Sequence, residues 1–376
     1  MSSPPSPNVP LILEAQADFA LKLLREVSTD DRSCIVSPFS VAVTLSMVYA
    51  GAKEKTGEEM GQLLAKGAPE SEVHKYFGAL LKSVITSGTN SSNTLETANK
   101  VYVMKKGIRV KDAFKGQIEG NYGGQFETVD FEDGKGTAEK INKFVKEATH
   151  KKIRDLVTPD NFDENTRLVL INAIYFKGTW ANKFDSKFTI KAAFYVDAEN
   201  TKELEMMRLK AYFIYSEDTQ LQLLGMPYKG GKEFMFVLLP KERFGLTKLL
   251  AQLDGKKLMK LIKGWDVCEV KVELPKFKLE AILELNKPLT NMGMATAFTD
   301  SANFEGIANE PLKISEVVQK AFIEVNEEGT VAAAATTGRV VSSSSSCKET
   351  SFVADHPFCA FLIRDDTVLF SAIFRK

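Results

Sequence analysis

The chain has 376 residues, 44% of them apolar and 26% charged, which is enough material for a sizeable core; the span 1–376 reads as a single large domain. Its 49 basic and 49 acidic side chains cancel, so no global field draws it to nucleic acid or to an anionic membrane, and neither is an expected partner. No apolar run reaches the roughly 18 residues that a membrane-spanning helix needs.

The opening Met1-Ser2-Ser3-Pro4-Pro5-Ser6-Pro7 lacks a basic region followed by an apolar core. Cytoplasmic residence is therefore expected, with release by a route that uses no cleavable signal left open. Helical spacing then runs from Leu11 to Val27 through Leu13, Phe19, Ala20, Leu23 and Leu24. Ser37-Pro38-Phe39-Ser40 offers a helix start with Pro in the first turn, and the helix it opens, Ser40 to Ala50, is too apolar for a surface. Further helices are expected over Thr56–Leu64, Glu70–Ile85, Lys111–Glu119 and Thr137–His150, with a polar loop at Thr86–Ser92. That loop holds the sequon Asn90-Ser91-Ser92, whose use is not expected without a signal peptide.

Strands dominate afterwards. Arg167–Phe176 is apolar on both faces, as a central strand is, and Leu221–Tyr228, Glu233–Leu239 and Val267–Lys276 follow it. Ile314–Val325 alternates as a strand, and Ala360–Arg364 with Thr367–Phe374 bracket Asp365-Asp366 as a hairpin. Helices early and antiparallel strands late indicate the α+β class. Cys34, Cys268, Cys347 and Cys359 show no CxxC spacing, so a zinc site or redox pair is excluded and free thiols are expected. The histidines His74, His150 and His356 sit in no nucleophile or ligand pattern; no metal, no cofactor and no catalytic activity are expected.

The strand Ile314–Val325 runs straight into Asn326-Glu327-Glu328-Gly329-Thr330-Val331-Ala332-Ala333-Ala334-Ala335-Thr336-Thr337-Gly338, and five serines follow shortly after. Such a segment can lie exposed, yet it carries no bulk that would resist burial between two strands. Its alternate residues Thr330, Ala332, Ala334 and Thr336 are small and uncharged. Gly329 supplies a permissive backbone at the pivot.

From end to end the chain resembles the serpin family, and its ovalbumin-like, clade B branch in particular. The resemblance is carried in order by Ser37-Pro38-Phe39-Ser40, Thr44-Leu45, Gly51-Ala52 with Thr56, Asp130-Phe131, Ile141-Asn142 and the run from Thr149 to Leu156. Leu170–Trp180, Pro227-Tyr228, Leu238-Leu239-Pro240, Leu274-Pro275-Lys276-Phe277, Ala302-Asn303-Phe304, His356-Pro357-Phe358 and Leu369-Phe370 continue it. Departures are Ser33 for a usual Asn, Phe144 for a usual Trp, Gln319 for a frequent His and Ala372 for a usual Gly.

The resemblance implies helices packed on a large mixed sheet with smaller sheets and an exposed reactive-centre loop, with hinge, loop and C-terminal flank at 326–356. It also implies a suicide mechanism. A target endopeptidase cleaves the loop and forms an acyl intermediate; the freed loop inserts as a new strand and drags the enzyme with it. About fifteen residues at strand rise span about 50 Å. Glu327, Glu328, Gly329, Thr330, Ala332, Ala334 and Thr336 would be the hinge, and Ser37, Ser40, Asn172, Trp180 and Gln319 the region where the sheet opens.

Counting seventeen residues from Glu327 ends at Ser343 and puts the scissile bond before Ser344, whereas counting back from Pro357 gives Ser346. The hinge count is preferred, because the sheet sets the insertion length. A shift of one residue, to Ser342, would set Val341 in the neighbouring apolar subsite. Val340, Val341 and Ser342 then govern specificity and disfavour a trypsin-like enzyme. A papain-like cysteine protease is favoured over an elastase- or chymotrypsin-like serine protease, and both stay open. The basic residues Lys105, Lys106, Arg109, Lys111, Lys151 and Lys152 read as solvated surface, so a glycosaminoglycan cofactor is not expected and a monomer is. The alternative is a non-inhibitory member that works in binding, storage or chaperoning.

Overall fold

The computed structural model describes residues 8–28, 31–87, 93–264, 266–329 and 350–376. Its first half holds α1 (Val9–Val27), β1 (Cys34–Val36), α2 (Pro38–Tyr49), α3 (Glu54–Ala65), α4 (Glu70–Ser87), β2 (Thr94–Met104), α5 (Asp112–Tyr122), β3 (Phe126–Val129), α6 (Gly134–Ala148) and β4 (Leu168–Lys177). Next come β5 (Ile190–Tyr195), β6 (Thr201–Glu217), β7 (Leu221–Pro227), β8 (Glu233–Pro240), α7 (Leu246–Gln252), α8 (Gly255–Lys263), β9 (Asp266–Pro275) and β10 (Phe277–Glu284). The chain closes with α9 (Asn286–Asn291), β11 (Ile314–Val325), β12 (Thr350–Val353), β13 (Phe358–Arg364) and β14 (Thr367–Phe374).

The α+β class holds, with helices packed on a mixed five-stranded sheet of order β10-β11-β4-β2-β3. Within it β11 and β4 are direct, parallel neighbours, while β10 and β2 flank them antiparallel. The remaining strands form one continuous nine-stranded sheet, because the 17-residue β6 pairs with β5 over residues 201–206, with β9 over 206–215 and with β7 over 214–217. Segregation of helices before strands is corrected. The strand β2 interrupts the helical half, and its Glu96, Asn99 and Lys100 kept it from being recognised as a strand.

Every residue of α2 is buried, as its all-round apolarity requires. Ser37 caps it by accepting the Ser40 N–H at 3.2 Å, and the helix packs against β2, β4 and β14. On the sheet's other face α6 lays Ala138, Ile141 and Val145 over Tyr102, Val169, Ile171, Ala173 and Val318. The junction of β4 and β11 is thus covered on both sides, and β4 is buried over Leu168–Phe176.

The free-thiol expectation is corrected at Cys268, which is disulfide-bonded. Cys34 and Cys359 are not disulfide-bonded, and burial pushes the Cys359 thiol well up, with Cys34 adding to it. A spacing rule seeks partners close in sequence, whereas a disulfide needs only partners close in space. His356 has a structural setting: its Nε2 lies 2.8 Å from the Pro240 carbonyl and its Nδ1 2.7 Å from the Asp355 carboxylate.

Candidate functional site

The site is the seam between β4 and β11, together with the turn that leaves its upper end. Backbone pairing across the seam runs from Val317 opposite Leu170 to Ile323 opposite Phe176. At mid-height Gln319 stands opposite Asn172, and Asn172 stands opposite Asn99, so three amides from adjacent strands form one cross-strand row. All three are buried beneath the start of α2.

Gln319 Nε2 donates to the Asn172 carbonyl oxygen across the seam and to the Ser37 carbonyl at 3.0 Å, while its own oxygen accepts the Ser37 N–H at 2.8 Å. Asn172 Nδ2 lies within hydrogen-bond reach of Ser40 Oγ (2.6 Å), Asn99 Oδ1 (2.6 Å) and Thr44 Oγ1 (3.1 Å). Ser40 Oγ donates to Asn99 Oδ1 at 2.7 Å, and Ser37 Oγ donates to the Leu369 carbonyl at 2.6 Å. The network ties β11, β4 and β2 to the α2 N-terminus, and none of its members titrates near neutral pH. Separating β11 from β4 must break the Gln319–Asn172 bond as well as the backbone pairing. Gln319→Leu should therefore strand the Asn172 oxygen and the Ser37 N–H in the core. That costs roughly 3 kcal/mol and lowers the melting temperature by about 4 °C in a thermal scan.

The upper end of the seam is built around Trp180. Its ring stacks on Tyr228 at 4.2 Å, its Nε1–H donates to the Asn326 carbonyl at 2.9 Å, and its backbone N–H donates to Glu328 at 3.1 Å. Residues Asn326 to Gly329 make a tight turn, and Gly329 bridges back to Thr179 at the top of β4. Gly329 has φ +94°, and a Cβ there would lie 2.4 Å from the Trp180 nitrogen and 2.6 Å from the Gly178 oxygen. Only glycine fits this pivot on both counts.

Both hinge glutamates are anchored. Glu327 pairs with Lys276 at 2.7 Å and accepts the Thr189 hydroxyl at 2.8 Å, while Glu328 pairs with Lys183. Burial acts to raise the Glu327 carboxyl, but the bonds from Lys276 and Thr189 outweigh it and hold the group below its ordinary value. The chain is thus clamped up to the pivot.

The structure gathers Ser37, Ser40, Asn172 and Gln319 into one network and puts Trp180, Glu327, Glu328 and Gly329 at the seam's upper end. Thr330, Ala332, Ala334, Thr336, Val340, Val341, Ser342, Ser343, Ser344 and Ser346 lie outside the described residues. Sequence reasoning missed Asn99, because β2 went unrecognised. It also missed Lys183 and Thr189, which no local pattern marks.

A closed parallel seam, bridged by buried side-chain hydrogen bonds, thus meets an anchored glycine turn at its upper end. A sequence model described as "Serpin (serine protease inhibitor)" matches residues 14–374. The chain is 35% identical over 366 residues to Serpin B6 of Pongo abelii, covering 95% of this chain and 96% of that one. To the leukocyte elastase inhibitor of Homo sapiens it is 36% identical, covering 93% and 94%. It is also similar in structure to Serpin48 of the insect Tenebrio molitor, with TM-score 0.85, 34% identity and coverage of 99% and 100%. Uncleaved ovalbumin gives TM-score 0.85 at 26% identity, covering 97% and 99%. The chain belongs to the serpin family.

Proposed function

We propose that this protein is a suicide inhibitor of an endopeptidase and acts by loop cleavage, covalent acyl trapping and insertion of the loop between β4 and β11. The single observation that carries this reading is Gly329. It sits anchored at the upper end of a closed parallel seam, and the residues after it are small and uncharged through Gly338. A strand entering there would run antiparallel to both neighbours, with a full ladder on each side. No chemistry of the chain's own is required, because the target enzyme supplies the nucleophile.

The scissile bond is placed at Ser343–Ser344, with Ser342 and Ser346 as alternatives. The target is a cathepsin-like cysteine protease or an elastase- or chymotrypsin-like serine protease. Val340 and Val341 support both, and the leukocyte elastase inhibitor among the relatives supports the second. Cytoplasmic residence is the reading from sequence, with release by a route that uses no cleavable signal as the alternative.

Incubation with a panel of both protease classes, followed by denaturing gels and residual-activity assays, tests the reading. A detergent-resistant band with a serine protease, and lasting loss of activity with a cysteine protease, are expected. N-terminal sequencing of the released C-terminal fragment should begin at Ser344. Clipped product with undiminished protease activity across the panel would instead mark a non-inhibitory binding, storage or chaperone protein.

A further inference from the structure

Along the lower half of the seam the connection from α6 to β4 is bonded to β11 at three points. Asn161 Nδ2 donates to Glu316 Oε1 at 2.9 Å, the Arg167 N–H to Ser315 Oγ at 2.9 Å, and Lys320 Nζ to the Arg154 carbonyl at 3.0 Å. Because the connection leads into β4, these bonds cross the line along which the two strands would part. A bulge between Ile314 and Glu316 sets Glu316 beside a cleft of about 600 Å³ lined by Asp160, Asn161, Asp163, Glu284 and Lys313. The second carboxyl oxygen, Oε2, is buried and finds no protein partner among the described residues.

We propose that Glu316 is a proton-controlled latch: with its carboxyl neutral the base of the seam stays closed on the Asn161 bond, and once it ionises the buried, unpartnered Oε2 carries charge and the closed form is penalised. The surroundings of the group favour the neutral form. Glu284 at the end of β10 and Asp160 and Asp163 of the connection present like charges. Of the cations, Lys313 is paired with Asp300 at 2.6 Å, Lys287 lines the same cleft from α9, and Arg167 turns its guanidinium to the Glu164 and Thr166 carbonyls. Burial pushes the Glu316 carboxyl up, the Asn161 bond opposes this, and the Glu284 charge adds to it, leaving the group at about 7.

The sign follows from linkage. An acid whose value is raised in the closed state is penalised there once it ionises. Closure is therefore undisturbed below the ordinary carboxylate range and weakens as pH climbs from there through about 7. The latch rests on the seam being the line of opening, which a thermal comparison of cleaved and intact protein reads at a single pH, without reference to Glu316.

The test is the urea-unfolding rate of the full chain from pH 5.5 to 7.5. The parent should speed up about fivefold, and Glu316→Gln, which keeps an oxygen for Asn161, should stay nearly flat. Asn161→Ala should unfold faster than the parent already at pH 5.5. An equal rise in parent and Glu316→Gln, or an Asn161→Ala rate unchanged at pH 5.5, overturns the latch. Should the latch variants behave as expected while cleavage leaves the melting temperature unmoved, the proton control stands and the insertion reading falls.

Discussion

Thr330→Arg is expected to turn the proposed inhibitor into a substrate of its target protease. Position 330 follows the Gly329 pivot, so it is the first inward-turning residue to be buried if the loop enters the seam. The surfaces it would meet are lined by β4 and β11, apolar on both sides and covered by α2 and α6. An arginine there has no partner, and burying its charge costs several kcal/mol. Each 1.4 kcal/mol added to the insertion barrier slows it about tenfold, while deacylation by the captured protease keeps its own rate. A penalty of about 3 kcal/mol thus slows insertion roughly a hundredfold and lets hydrolysis win. On a denaturing gel the covalent band should fall below about a tenth of the parent's, with clipped product in its place. Val331→Arg is the control, since alternate side chains of a strand face opposite ways and residue 331 would point outward. Equal loss from both variants would mean that charge, and not inward burial, is what matters.

The second large effect is thermal. Cleaved protein should melt on the order of 10 °C above intact protein in the same buffer. In the intact molecule β4 and β11 hydrogen-bond to each other, and only the chain up to Gly329 is held at the seam's upper end. After cleavage the loop can add a strand with neighbours on both edges, gaining about a dozen ladder bonds at roughly 1 kcal/mol net each. Against this stand the lost Gln319–Asn172 bond and the ordering of the inserted residues. Calorimetry of nicked and intact protein reads the balance. Identical melting temperatures would remove loop insertion, and with it the inhibitor reading.

Much of the local structure was legible in the chain. The six expected helices appear with ends shifted by a few residues, because 3.6-residue periodicity survives whatever the helix packs against. The strand Ile314–Val325 falls on its expected limits. Other strands were illegible. β10, with Lys278, Glu280 and Glu284 among its residues, and β6, polar at its start, owe their strand state to neighbours that complete their ladders. Helices α7, α8 and α9 were missed because 6 to 9 residues hold too few turns for a period to show.

The sequence by itself determined that a glycine pivot with small uncharged residues follows a strand, since only composition and alternation are needed to see that nothing in the segment resists burial. Tertiary structure alone decided where such a segment could go. That β11 lies parallel to and directly beside β4, although 136 residues separate the end of β4 from the start of β11, is a matter of sheet order. That Gln319, Asn172 and Asn99 meet in one row, and that Lys276 and Thr189 clasp Glu327, depends on register between strands distant in sequence. Contacts of that kind are set by how whole elements pack, so no window of local sequence carries them.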